Sequence, residues 1–334
     1  MEEQIRTWLS EQSSGAIQVT RVRPLAGGAC QDNFVIQTLR DGVPEKMVLR
    51  SDAVGSLPGS LSRREEYAII QAAVAAGVPT PAVTGLREGL VRPGAWGYFM
   101  DWADGVAIGA KVVRSSALAT ARAVLPEQLA AAAAAIHRIT PATNPDLSIP
   151  TISPDGDVIA EMLAFQRASM ADIPEAHPAL SLAMRWLEEH RPRASEVVLV
   201  HGDFRIGNFL VGPDGLSAVL DWEFAHWGNP MEDLAWLCVR DWRFGRVGNP
   251  VGGLCERTRF YRSYAQASGR SVDPALVHYF EVLGNLRWAI GAVVQGLRYL
   301  RGGEADLELL AIARRSAEME YEALRLIEVG PPAI

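Results

Sequence analysis

Three short apolar runs, Val197–Val200, Phe209–Val211 and Ala218–Leu220, interrupt a stretch of chain that otherwise repeats helical spacing from residue 115 onward. This is one small β island in a helical region, and it restricts where the polar residues between the runs can go. The first interval reads His201-Gly202-Asp203-Phe204-Arg205-Ile206-Gly207-Asn208. The third run ends at Asp221, thirteen residues after Asn208. Asp203, Asn208 and Asp221 are therefore three oxygen ligands held at strand ends. An Asp at a strand end is often only a turn former or a helix cap. The complete set, framed by strands at fixed spacing, points to chemistry.

The rest of the chain divides around this island. A length of 334 residues suits about two domains or lobes. The first third reads as an antiparallel meander: Ile17–Pro24, Asn33–Leu39 and Lys46–Arg50 are strand patterns, with Asp41-Gly42 as a turn signal. Ser62–Ala76 has helical spacing and stops at Gly77 and Pro79, and Ala82–Leu86 and Trp96–Trp102 read as two more strands. Helical patterns follow over Ser115–Ile139, Asp157–Ser169, Pro178–Glu189, Gly253–Ser268, Pro274–Leu300 and Glu304–Glu328. The expected organisation is a small strand-rich lobe over residues 1–103 and a larger helical lobe over residues 104–334.

Composition excludes several classes. At 49% hydrophobic and 21% charged, the chain can build a substantial core. A net charge of −7 argues against nucleic acid or an anionic membrane as partner. Cys30, Cys238 and Cys255 are few, odd in number and contain no CxxC pair, so a disulfide framework or zinc site is not expected. The start, MEEQIRTWLS, is not a signal peptide, and the Ala-rich Ala117–Ile139 carries too many polar breaks for a membrane span. A cytoplasmic protein is the expectation. Lys46 and Lys111 are the only lysines and neither follows a glycine, so there is no P-loop; Rossmann, nucleophile-elbow and HExxH signatures are also absent.

The spacing of Asp203 and Asn208 equals that of the kinase catalytic loop, H-R-D-x-x-x-x-N. The longer stretch HGDFRIGNFLV…VLDWEFAHWGNPMEDLAWL resembles the aminoglycoside phosphotransferase-like superfamily, within it the branch related to the kinase domains fused to acyl-CoA dehydrogenases. The resemblance implies an α+β, two-lobed protein-kinase-like fold, with a small antiparallel-sheet lobe and a larger helical lobe. It implies Asp203 as catalytic base, Asn208 and Asp221 as magnesium ligands, and His201 and Asp233 as structural braces. ATP or GTP with Mg2+ would be the cofactors. The partner would be a small-molecule hydroxyl, on a metabolite or a hydroxyacyl-CoA-like substrate; an aminoglycoside or macrolide antibiotic is the alternative, and a silent nucleotide-binding protein the third reading. A homodimer is left open beside a monomer.

The first lobe supplies candidates for the nucleotide. Met47-Val48-Leu49-Arg50 lies in the register of the kinase V-A-I-K strand, so Arg50 is expected at the phosphates, with Lys46 on the same strand face as its competitor. The GVPTP end of the next helix aligns Glu66 as the partner of Arg50, with Glu65 one residue away as the alternative. Gly27 and Gly28 resemble a phosphate-covering loop, although a plain β-turn would read the same way. Tyr98–Ala103 resembles the strand that joins the lobes, with Met100 walling the purine and the Asp101 and Ala103 backbones pairing with it. Glu223, His226, Trp227, Trp242, Arg243, Arg287 and Trp288 are candidates for the acceptor side, each also explicable as packing or surface.

Overall fold

The structure is a computed structural model that describes residues 2–12, 17–25, 32–53, 55, 59–149, 157–192, 196–302 and 306–333. Helix α1 (Glu2–Gln12) precedes β1 (Ile17–Pro24), β2 (Asp32–Arg40) and β3 (Val43–Ser51). Asp41 and Gly42, at φ 49° and 82°, make the two-residue turn between β2 and β3. Positive φ at both positions matches the twist of a tight hairpin. Helix α2 (Arg63–Ala75), β4 (Val83–Glu88) and β5 (Trp96–Asp101) complete the lobe. The sheet is antiparallel in the order β1-β2-β3-β5-β4.

Both faces of this sheet are covered. On one, α1 inserts Ile5, Trp8 and Leu9 against Val19, Ile36, Leu49 and Phe99, with Trp8 stacked on Phe99 at 4.7 Å. On the other, Ile69, Ile70 and Ala73 of α2 pack with Tyr98 and Met100 and join the core of the second lobe. Ser62 caps α2: its hydroxyl accepts from Glu65 N, and the Glu65 carboxylate accepts from Ser62 N. This capping box fixes where the helix starts, and with it the facing of Glu66.

The second lobe begins with α3 (Gly109–Arg114); the helical pattern expected over Ser115–Ile139 is a short 3-10 turn, Ser116–Leu118, followed by α4 (Ala119–Ile136), which runs through Pro126. Helices α5 (Val158–Ala171) and α6 (Pro178–Glu189) follow. The island holds two separate ribbons: β6 (Val198–Val200) pairs with β9 (His226–Gly228), and β7 (Phe209–Gly212) pairs with β8 (Gly215–Val219). Helices α7 (Met231–Cys238), α8 (Arg257–Ser268) and α9 (Pro274–Leu300) come next. The pattern over Glu304–Glu328 is also two helices, α10 (Leu307–Ala313) and α11 (Ser316–Val329). Among the described residues no helix is long and apolar enough to cross a membrane.

Hydrogen bonds stitch the lobes behind the site. Leu61 N donates to Glu223 O at 2.7 Å, Val219 N to Pro79 O at 2.7 Å, and Thr80 Oγ1 to Val219 O at 2.9 Å. Trp222 Nε1 donates to Thr80 Oγ1 at 3.1 Å, which ties the strand end bearing Asp221 to the segment after α2.

Candidate active site

The β6 strand ends at Val200 and delivers His201 into the core, where it braces the loop. Its Nδ1 accepts from Asp203 N at 3.2 Å, which leaves Nε2 to donate to Leu220 O at 3.0 Å. Gly202, at φ 73°, leaves no room for a side chain, because a Cβ there would lie 2.1 Å from Phe224 O. Asp233, fully buried on α7, accepts from His201 N at 2.7 Å, from Gly202 N at 3.0 Å and pairs with His137 at 3.2 Å. Burial pushes the Asp233 carboxyl up, but the donors from His137 and His201 outweigh it and hold the group below its ordinary value. A charged carboxylate satisfied this way is a rigid anchor for the loop.

Asp203 follows, with 7% of its surface exposed. Its carboxylate accepts from Trp236 Nε1 at 2.7 Å, Arg205 Nε at 2.9 Å and Asn208 Nδ2 at 2.6 Å. The Asn208 amide also donates to Asp203 O at 3.0 Å, which locks the two residues together. Leu220 N donates to Asn208 O at 2.8 Å, so the end of β8 is held against Asn208 and Asp221 emerges beside it. Asp221 has φ 69°, a left-handed conformation that costs a non-glycine residue roughly 1–3 kcal/mol. A third of its side chain is exposed, and Oδ1 accepts from Arg50 Nη2 at 3.1 Å. Burial pushes its carboxyl up; the charge and hydrogen bond of Arg50 more than offset this, and the group is held below its ordinary value.

Arg50 is where the two lobes meet electrostatically. Its Nη2 is 3.1 Å from Glu66 Oε1 as well as 3.1 Å from Asp221 Oδ1. Burial alone would lower its pKa; Glu66, Tyr98 and Asp221 outweigh burial and raise it, so the guanidinium stays charged. Lys46 lies instead on the surface, its ammonium 5.2 Å from the centre of the Trp102 ring. Glu65 is spent on the capping box. The geometry therefore pairs Arg50 with Glu66 and sets both alternatives aside.

Two partners of Glu66 lie outside the sequence reading. Arg63 Nη1 reaches its Oε2 at 2.5 Å and Tyr98 Oη donates to the same oxygen at 2.6 Å. Arg63 also stands 3.8 Å from Glu223 and 3.9 Å from Asp52. The i,i+3 spacing of Arg63 and Glu66 on one helix was a legible signal. Trp236, which holds Asp203, also escaped notice; it lies one helical turn after Asp233 and so faces the same loop.

Met100 is buried, in the core with Tyr98. Asp101 N is already engaged with Ala82 O at 2.9 Å, so of the two backbone groups expected there only the carbonyl side could meet a base. Ala103 follows in the extended linker, half-buried. Gly27 and Gly28 lie outside the described residues. Of the residues expected near an acceptor, Trp242, Arg287 and Trp288 gather near Asp203 around Trp236. Trp227 does not: it is a core residue of β9. Arg243 is likewise buried, donating to Cys238 O and pairing with Glu281 at 3.1 Å. Glu223 is buried near Arg63, and His226 pairs with Glu232 at 3.2 Å.

Known proteins resemble this chain in sequence or in fold. Acyl-CoA dehydrogenase family member 10 of Mus musculus is 29% identical over 204 residues, 58% of this chain and 18% of that protein. The chain thus spans less than a fifth of that relative. A solved Ralstonia eutropha protein assigned as an aminoglycoside phosphotransferase superposes with TM-score 0.76 at 21% identity, covering 99% of each chain. A thermostable mutant of aminoglycoside phosphotransferase APH(4)-Ia, in ternary complex with AMP-PNP and hygromycin B, gives TM-score 0.60 at 17% identity, covering 96% of this chain and 98% of that one. At such identities these structures show the fold, which is the two-lobed kinase-like one. A sequence profile described as the phosphotransferase enzyme family, APH, matches residues 21–269, and the chain belongs to that family.

Proposed function

We propose that the chain transfers the γ-phosphoryl group of ATP, with Mg2+, to a hydroxyl of a small molecule. The observation that carries this reading is the convergence of Asp203, Asn208 and Asp221 on one loop-and-strand unit, with Arg50 bound to Asp221 from the opposite lobe. The donor set fits a hard cation: an ionised Asp221 carboxylate and the Asn208 amide oxygen are oxygen ligands. Two protein ligands suit magnesium, which commonly takes one or two and completes its shell with phosphate and water. When bound, the metal supplies charge neutralisation on the phosphates.

The chain's own residues do the rest. Arg50 presents a permanent positive charge to the phosphate oxygens, and Glu66, held by Arg63 and Tyr98, keeps it aimed. The carbonyl of Asp101 and the backbone of Ala103 take the edge of the base, and Met100 borders it. Asp203 orients the acceptor hydroxyl and receives its proton late, as a loose transition state allows. Positioning and electrostatics carry such a transfer, with no covalent phospho-enzyme. The likeness to an acyl-CoA dehydrogenase family protein supports a metabolite or hydroxyacyl-CoA-like acceptor. The AMP-PNP complex of a protein of the same fold supports an adenine nucleotide, and GTP would use the same backbone groups.

Calorimetric titration of ATP with and without Mg2+ tests the reading. Asp221→Ala is expected to weaken ATP–magnesium at least tenfold more than ATP alone. Equal losses in both titrations would remove Asp221 from the metal.

A further inference from the structure

One indole away from the Asp203 carboxylate, the charge that faces outward changes sign. Trp236 Nε1 donates to Asp203 Oδ1 at 2.7 Å, and the Arg287 guanidinium lies 4.9 Å from the centre of the Trp236 ring and 5.5 Å from that of Phe224. On the other side of the base, Arg205 bonds Asp203 through Nε and lies 4.5 Å from the centre of the Trp242 ring. Trp236, Trp242 and Trp288 form a continuous aromatic floor, with ring centres 5.6 Å and 5.1 Å apart.

Burial sorts the charges on this floor. The side chains of Arg205 and Arg287 keep 26% and 23% of their surface. The neighbouring acids are nearly sealed: Glu232 at 7%, Asp241 at 8% and Glu223 at 10%. Glu232 pairs with His226 through Oε2, Asp241 pairs with Arg315 and accepts from the Trp288 indole N–H, and Glu223 faces Arg63 at 3.8 Å. Arg287 is held more loosely. Its ion pair with Glu232 is 3.5 Å, longer than a hydrogen bond, and no hydrogen bond from it forms among the described residues. A guanidinium stacked on rings keeps its in-plane N–H groups available, in the fork that matches carboxylate and phosphate oxygens.

Resting on the phosphotransfer reading, we propose that the acceptor carries an anionic group, carboxylate or phosphate, which Arg287 binds while the acceptor hydroxyl meets Asp203 and its body lies on the tryptophans. A polycationic acceptor would meet arginine where it needs exposed acid. Beside it, the acid nearest Arg287 is shared with His226, whose pKa burial lowers but Glu232 raises above the ordinary value. If Arg287 were only a strut between α9 and α7, its removal would lower stability and leave the choice among acceptors untouched.

The test uses acceptors of one length and different charge: 6-hydroxyhexanoate, 6-hydroxyhexyl phosphate, hexane-1,6-diol and 6-aminohexan-1-ol, with hygromycin B as polycation. Binding is followed by calorimetry and tryptophan fluorescence, and ATP-dependent phosphorylation by mass spectrometry, for the wild type, Arg287→Gln and Arg287→Lys. The proposal expects an anionic probe to bind and react at least tenfold better than the diol, and the amines worse. The two anionic probes distinguish carboxylate from phosphate. Arg287→Gln should collapse that ratio through KM, Arg287→Lys should restore part of it, and ATP–magnesium affinity should hold in both. Preference for an amine or hygromycin B, or an anion-to-diol ratio unchanged in Arg287→Gln, overturns the proposal. So does anion binding no tighter than diol binding. If ATP binds and anionic probes bind through Arg287 but no phosphoryl group moves to any acceptor, the phosphotransfer reading fails and the Arg287 assignment stands.

Discussion

Glu66 has no exposed surface and three partners, so its removal and that of Arg50 are not equivalent. Without Arg50, Glu66 keeps Arg63 and Tyr98. Without Glu66, two buried guanidiniums, Arg50 and Arg63, lose their shared anion. Breaking a buried pair by removing one member costs about 3–5 kcal/mol because the other charge is stranded. Denaturant unfolding should therefore place Glu66→Ala below Arg50→Ala in stability, with both weakening nucleotide binding. The double variant should lose less than the two losses together, because the groups touch. Lys46→Ala should change either readout by no more than about 1 kcal/mol, the scale of an exposed cation–π contact. Additive losses for Arg50 and Glu66, alongside a large Lys46 effect, would reverse the assignment. The Arg50–Glu66 pair was readable because strand register and a helix end place each residue independently. Tyr98 was not, since its bond to Glu66 depends on how β5 crosses α2, which no local pattern encodes.

Among the elements, α9 serves two purposes along its length. Its middle third carries Arg287 and Trp288 to the aromatic cluster beside Asp203, while its first third carries His278 into the core. His278 is 3% exposed, lies edge-on to Trp186 of α6 at 6.1 Å, and has no hydrogen-bond partner on either ring nitrogen among the described residues. Burial lowers its pKa below the ordinary 6.5, and Arg257 of α8 and Arg325 of α11 push the same way. The unfolded chain therefore binds this proton more readily than the folded one. Stability is unaffected by this group above pH 6.5 and falls as pH drops below it, by up to about 1.4 kcal/mol per pH unit. His278→Phe removes the proton site at similar volume. Its melting temperature should be level with or above that of the wild type at pH 7.5, and should decline less between pH 6.5 and 5. Parallel acid-side curves would mean that His278 titrates normally. Long helices such as Pro274–Leu300 were legible from period and end signals. The strand β9 was not, being only His226-Trp227-Gly228, and neither was the break between α10 and α11, which falls at Arg314-Arg315 without glycine or proline.

At the scale of the molecule, the bonds between lobes run through the reacting segment itself. Arg50 reaches Asp221, Leu61 reaches Glu223, and Thr80 is tied to Val219 and Trp222. The catalytic loop is bonded in turn to α7 through Asp233 and Trp236. Such a frame holds Asp203, Asn208, Asp221 and Arg50 in one geometry, and positioning of this kind is what the proposed phosphoryl transfer requires. The central claim is that Asp203 serves the acceptor hydroxyl within that frame. The measurement is the rate of ATP-dependent phosphoryl mass gain in a metabolite extract, for wild type and Asp203→Asn matched for ATP–magnesium occupancy by calorimetry. Asn can still accept from Trp236 and Arg205 through Oδ1 and takes no proton, while its NH2 stands where the oxygen bonded by Asn208 Nδ2 was, so rates are compared only at matched occupancy. At equal nucleotide occupancy the account predicts that the variant transfers about 100- to 10,000-fold more slowly. Equal transfer rates at equal occupancy, or no mass gain by a wild type that binds ATP–magnesium, would contradict it.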